Sequence, residues 1–273
     1  QLAAFGQHRF KGGDAGLGAA VGAFELGLGQ AAFEQAVAVP HWVLEPVGLG
    51  GGQLVDFYVN GFDGMINFSL PSHAAKGYEA LFSSYSDLLN GPLAGSTILN
   101  YISSHDDGNP FDPLRTRAFE SATKLMLAPG AAQIYYGDET ARPLDIAGTQ
   151  GDATLRSFMN WSDLQTDRIK NQLLMHYQLL GTFRKNHPAV GAGVHQMISA
   201  SPYVFSRSYT KGNFSDQVVV GLDLPKGKKE IAVGTVFANG MRVRDVYSNT
   251  EATVENGKVI LDTNFTLVLL EKL

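Results

Sequence analysis

No cysteine occurs among the 273 residues, which excludes disulfides and thiolate-held metals and leaves the redox compartment open. Charge is scarce too, at 17% of residues, and 21 basic against 26 acidic side chains leave a net charge of -5. No basic stripe offers a footprint for nucleic acid. No apolar run approaches the roughly 18–20 residues that span a bilayer. Neither nucleic acid nor membrane is therefore an expected partner. The first residues lack the basic start and apolar core of a secretory leader. What is present is a chain 44% apolar, long enough for one large domain or two of ordinary size, with nothing that marks it as disordered.

A second set of absences is local. Residues 1–53 contain no Ser, Thr, Ile, Asn, Tyr or Met, all plentiful afterwards, and Gly, Ala, Val, Leu, Gln and Phe dominate them. Most of the missing residues use codons beginning with adenine, and Lys11 is almost the only residue here that requires one. A glycine-rich flexible arm is one reading. A nucleotide loop at Gly16 to Gly22 (GLGAAVG) is another, but that fingerprint needs an apolar strand before it, and GQHRFKGGDA is not one. A coding segment read in the wrong frame or strand accounts for the composition best. Residues 1–54 are expected to be disordered or mistranslated and to be clipped first in limited proteolysis, because ordering so many glycines is entropically expensive.

From Asp56 the pattern alternates. GMINFSL (Gly64 to Leu70) is a short apolar strand candidate. Tyr78, Leu81, Phe82, Tyr85, Leu88 and Leu89 then recur at helical spacing, up to a stop at Asn90-Gly91-Pro92. A second strand begins at Thr97. Asp112 and Pro113 can cap and start a helix through Leu114, Ala118, Ala122, Leu125 and Met126, ending at Pro129-Gly130. AAQIYYGDE supplies a third strand, and Ile169, Leu173, Tyr177 and Leu180 mark a further helix stopped near Pro188. Three strand–helix units in succession predict a parallel sheet covered by helices, with chemistry beyond the carboxyl ends of its strands. After Pro188 the period changes to two. YVFSRSYT, DQVVVGLDL, KEIAVGTVF, MRVRDVYS, ATVENGKVIL and FTLVLLEKL predict a small antiparallel sandwich, with Asn256-Gly257 and Asn239-Gly240 as turn signals.

The stretch TILNYISSHDDGNPFDP, Thr97 to Pro113, concentrates the chemistry. A β-branched and aromatic run leads into His105, Asp106 and Asp107 at a strand's carboxyl end. Buried carboxylates are costly unless paired or neutralised, so such a cluster at a strand mouth needs a reason. Asp138 and Glu139 fall at the end of the next strand. Three explanations stand on these residues alone: a sugar-binding site, a metal site, or a histidine and carboxylates satisfying one another at a turn. A metal-dependent hydrolase built on His105, Asp106 and Asp107 would need further ligands, and the strand ends present only Asp138-Glu139.

Several motifs together resemble the α-amylase family of retaining glycoside hydrolases. YISSHDDG resembles the end of the family's seventh barrel strand, QIYYGDE the eighth and FYVNGFDGMINFSL the sixth. LRSFMNW resembles the loop before the last helix, and LLGTFRKNHPAV the passage into the C-terminal sandwich. The resemblance runs from Asp56 to Leu273 in family order. It implies an α/β architecture: the last three βα units of a (β/α)8 TIM barrel over residues 55–188, followed by an all-β C-terminal sandwich over 189–273. Asp106 would be the catalytic carboxylate that stabilises the transition state, with His105 binding hydroxyls of the sugar. Arg156 and Trp161 lie in a loop that approaches bound sugar in some relatives.

The mechanism of that family needs a carboxylate nucleophile and a carboxylic acid besides. Neither motif is present. Asp63 lacks the arginine two residues before it, and the surroundings of Glu45 do not match the acid's. The expected function is thus a fragment of an enzyme acting on α-glucosidic linkages of starch-like glucans, with an α-glucan or maltooligosaccharide as partner. The alternative is a non-catalytic carbohydrate-binding remnant. The resemblance implies no cofactor and no metal ligand here, and leaves calcium open in the full-length parent. Asp138 and Glu139 are read as braces of the barrel rim and Asp107 as a loop residue. His73 is read as a loop residue, His176 as a helix-surface residue, and Tyr78, Tyr85 and Tyr177 as packing.

Overall fold

The computed structural model describes residues 58, 64–106 and 108–273. The segment 1–54, Glu45, Asp63 and Asp107 lie outside the described residues. No described helix is long and apolar enough to cross a membrane.

Three parallel strands form the first sheet in the order β1-β2-β3: β1 (Gly64–Asn67), β2 (Thr97–Asn100) and β3 (Ala131–Ala132). Helices α1 (Tyr78–Asn90), α2 (Ala118–Leu127) and α3 (Arg168–Asn186) follow them in turn, as parallel strands require crossover connections. A buried asparagine ladder pins the register. Asn67 Nδ2 donates to Asn100 Oδ1 at 2.7 Å and to the Tyr85 hydroxyl at 2.8 Å, and Asn100 Nδ2 donates to the Pro129 carbonyl at 2.7 Å. Gly130 completes it with φ +103, where a Cβ would lie 2.9 Å from the Ile98 carbonyl oxygen.

Some boundaries differ from the sequence pattern. The third strand pairs only through Ala131 and Ala132 rather than along AAQIYYGDE, because the chain leaves the ladder for a helical turn at Asp138–Thr140. Helix α2 begins at Ala118, not at Pro113. The Asp112 carboxylate does not cap the helix: it accepts from the backbone N–H of Thr116 (3.0 Å) and Arg117 (2.8 Å) ahead of it, where residues 113–117 form a turn. Arg115 there has φ +58, and Leu114 is exposed. Helix α3 is capped by Asp167, which accepts from Ile169 N at 2.8 Å and Lys170 N at 3.1 Å. Its apolar face buries Leu173, Tyr177, Leu180 and Phe183, while Ile169 is exposed.

The remainder is antiparallel. Strands β4 (Val194–Ala200), β5 (Tyr203–Lys211), β6 (Phe214–Leu222), β11 (Val268–Lys272), β8 (Arg242–Asp245) and β9 (Thr250–Thr253) form a six-stranded sheet in the order β4-β5-β6-β11-β8-β9. Strands β7 (Gly227–Ala232) and β10 (Lys258–Thr263) pair as a second sheet. Strand β4 went unread in the sequence because VHQMISA is an edge with little apolar alternation. Asn256 and Gly257 both take positive φ, as a tight hairpin turn demands. The period of two along β6 divides its side chains between two cores. Val218, Val220 and Leu222 join Leu81, Phe82, Leu125, Leu180 and Phe183 of the helices, while Val219 joins Ile231, Val259, Val268 and Leu270 between the sheets.

Two arginines close the end of α2, Arg207 buried and Arg184 partly buried. Arg184 donates to the carbonyls of Met126 and Ala128, both at 2.9 Å, and to that of Gly130. Arg207, from β5, donates to the carbonyl of Leu127 at 2.6 Å and to that of Val190. Burial pushes Arg207 down to about 9 and Arg184 to about 10. Histidines cross the same boundary. His195 Nε2 lies 2.8 Å from Glu79, and His187 sits between Asp216 (2.9 Å) and Glu271 (2.7 Å). His176 is buried rather than on the helix surface, held by Thr123 (3.0 Å) and the Tyr247 hydroxyl (2.7 Å). A polar side chain in an apolar stripe gives no sign in sequence that partners await it.

Two outcomes are expected. Arg207→Met strands the Leu127 and Val190 carbonyls in the core and should cost about 2–4 kcal/mol in urea unfolding. Burial lowers His176 to about 4, against 6.5 when solvated, so the unfolded chain binds the extra proton between these values. Its stability contribution is complete above pH 6.5 and is lost as pH falls to about 4. His176→Gln should flatten the stability profile across that window.

Candidate functional site

The carboxyl end of β2 runs through Ser103 and Ser104 to His105 and Asp106. His105 Nε2 lies 2.9 Å from Asp106 Oδ2, and the Asp106 N–H donates to Ser104 Oγ at 3.2 Å. Arg156 arrives from a loop 50 residues on in sequence. Its Nη2 donates to Asp106 Oδ1 at 2.8 Å and its Nε to the His105 carbonyl at 3.3 Å. Three of the four sequence-selected site residues therefore meet. Trp161 does not join them. Its side chain is exposed, and no hydrogen bond or ring contact ties it to His105 or Asp106 among the described residues.

The cluster lies open, with Asp106 63% and Arg156 50% exposed at the side chain. Behind it is a buried layer. Asp138 Oδ1 accepts from Ser103 Oγ at 2.5 Å and from Arg115 Nη2 at 2.7 Å. Burial raises the Asp138 carboxyl, against the opposing pull of Arg115 and of the Ser103 hydroxyl. Arg115 Nε also donates to the Arg142 carbonyl at 2.8 Å. Arg142 is fully buried and reaches the carbonyls of Tyr136 (3.0 Å), Leu155 (3.1 Å) and Ser157 (3.3 Å). Glu139 Oε2 accepts from the Gly137 N–H at 2.9 Å. Asp138 thus ties Ser103 at the end of the second strand to Arg115, while Glu139 makes only a local bond.

Ser103, Arg115 and Arg142 went unread, since an arginine in a loop normally signals solvent. The one available hint was Gly137, whose φ of +88 lets the chain pass where a Cβ would lie 2.5 Å from Arg142. No group of three or more His, Asp or Glu among the described residues could hold a metal ion. A groove of about 750 Å³ opens elsewhere, between Pro113, Leu114, Phe119, Leu144 and Ile169. It contains neither His105, Asp106 nor Arg156, so the chemistry is read at the strand ends.

No family profile matches the chain. The periplasmic α-amylase of Escherichia coli K12 is 37% identical over 161 residues, 56% of this chain and 22% of that protein. Among solved structures, the α-amylase of Geobacillus thermoleovorans complexed with acarbose aligns over 82% of this chain and 52% of its own, with TM-score 0.56 and 14% identity. An Anoxybacillus α-amylase aligns over 82% and 50%, with TM-score 0.54 and 18% identity. The fold is amylase-like, and part of the chain is similar in sequence to a periplasmic α-amylase. The chain spans about half the length of these solved structures and 22% of the curated relative.

Asp138→Asn removes the partner of an enclosed guanidinium. Breaking a buried pair in this way typically costs about 3–5 kcal/mol. A loss near the lower bound is expected in chemical denaturation, because Arg115 keeps its bond to the Arg142 carbonyl.

Proposed function

We propose that this chain is the C-terminal part of a retaining α-amylase-type hydrolase acting on α-glucosidic linkages of starch-like glucans. In this reading β1, β2 and β3 are the last three strands of an eight-stranded barrel over residues 55–188, and the antiparallel portion over 189–273 is the C-terminal sandwich. The observation that carries it is the meeting of His105, Asp106 and Arg156 at the carboxyl end of a parallel strand, where α/β sheets place their chemistry. Asp106 is the carboxylate that opposes positive charge developing at the sugar ring, and His105 and Arg156 bind sugar hydroxyls. Trp161 is a stacking platform for sugar. No cofactor is proposed for this chain.

Hydrolysis by the chain alone is not part of the proposal. A retaining mechanism needs a nucleophile and an acid about 5 Å apart. Asp106 and Arg156 are exposed, and an exposed charge is heavily screened by water. That exposure favours the second reading for the isolated chain, a carbohydrate-binding remnant without turnover.

Calorimetric titration with maltoheptaose should show binding that Asp106→Asn weakens. No hydrolysis of a nitrophenyl maltooligosaccharide should accompany it. Absence of binding would refute both readings. Turnover abolished by Asp106→Asn would show that the catalytic carboxylates lie within this chain.

A further inference from the structure

The side chains around the site form a closed circuit. Ser103 donates to Asp138, Asp138 accepts from Arg115, and Arg115 donates to the Arg142 carbonyl. Arg142 then donates to the carbonyls of Leu155 and Ser157, the two neighbours of Arg156. Arg156 returns to Asp106, three residues beyond Ser103. Magnitudes decide which member holds the geometry. An exposed ion pair such as Arg156–Asp106 is worth only about 0–1 kcal/mol, comparable to the rotamer entropy of a long side chain, so it does not hold Arg156 in place unaided. Arg142 is enclosed and its donors meet fixed backbone acceptors on both sides of Arg156, with Ser157 Oγ as a further acceptor. Its guanidinium also lies 4.0 Å from the Tyr136 ring centroid, which ties it to the segment that follows β3.

We propose that Arg142 is a positioning residue that fixes the backbone on both sides of Arg156 and thereby sets the Arg156 guanidinium against Asp106. Its functional meaning rests on the carbohydrate-site reading, but its physical content does not. Arg142 touches no substrate. It determines whether a cation stands beside the Asp106 carboxylate, and so how much negative charge that carboxylate presents to a ligand. The left-handed Gly137 is the local condition for this arrangement, since a side chain there would collide with Arg142.

The test uses the whole 273-residue chain, nitrogen-labelled, and follows proton exchange at arginine Nε–H groups by NMR. Arg244, whose Nε donates to Glu271 at 2.8 Å in the sandwich, is the internal reference. Arg142→Gln should speed exchange at Arg156, whose Nε–H donates to the His105 carbonyl beside Asp106, about tenfold without changing Arg244. Ser157→Ala removes one acceptor of Arg142 and should give a smaller change in the same direction, even if Arg142→Gln fails to fold. Arg142→Lys, with one donor centre in place of a fork, should restore only part of the protection. Unchanged Arg156 exchange in Ser157→Ala and in folded Arg142→Gln would overturn the proposal. So would equal acceleration at Arg244, which marks a merely structural role. Maltoheptaose titration of the unsubstituted chain separates the two ideas: missing binding refutes the carbohydrate reading and leaves the Arg142 result standing.

Discussion

The end of helix α2 governs how the two halves of the described chain fit together. A helix leaves its last carbonyls unpaired, and here they point into protein rather than water. Arg184, from α3, and Arg207, from the antiparallel sheet, enter that space and bond the carbonyls of 126 to 128. Among the described residues neither guanidinium forms an ion pair, and each donates to backbone carbonyls at a point where the helix macrodipole is negative. Arg207 also lies over the rings of Phe82 and Phe205, 5.1 Å from each centroid, which joins the charge to the apolar packing around it. Helix, helix and sheet converge on one set of acceptors, and their mutual orientation follows.

The same reliance on buried polar groups recurs at each level. Asn67 and Asn100 align the parallel strands, Asp138 and Arg115 tie the strand end to the turn before α2, and His176 spans to the Tyr247 turn. In each case the polar atoms find partners from distant segments, so these contacts discriminate between alternative packings that apolar burial alone would tolerate. At the strand mouth, the enclosed Asp138–Arg115 pair lies behind the open Asp106–Arg156 pair.

Legibility in the sequence followed the physical character of each element. Helices α1 and α3 were readable because their apolar stripes are long and their stops are Gly or Pro. Tyr85 and Tyr177 proved to be core, and the turn at Asn256-Gly257 took the positive φ values its residues favour. The start of α2 was misread because Asp112-Pro113 is a good opening whose next residues are diverted by Arg115 toward Asp138. Strand β4 carries too little alternation to be seen. His105, Asp106 and Arg156 were selected by motif, and the structure brings them together. The arginines that support them were invisible, because pattern reading assigns a loop arginine to water and only three-dimensional packing reveals acceptors around it.

The division of β6 between two cores bears on modularity. Val218, Val220 and Leu222 are covered by helices that precede residue 188, whereas Val219 is covered by the opposing sheet. A chain cut at the change of sequence period would lay bare the helix-facing side chains Phe205, Val218, Val220, Leu222 and Leu269 of β5, β6 and β11. Exposed apolar patches of that kind drive self-association. The change of pattern near residue 188 is therefore a change of architecture and not a seam. An insertion, a fusion junction or an evolutionary exchange of the antiparallel part would have to bring a matching surface for α1, α2 and α3 along with it.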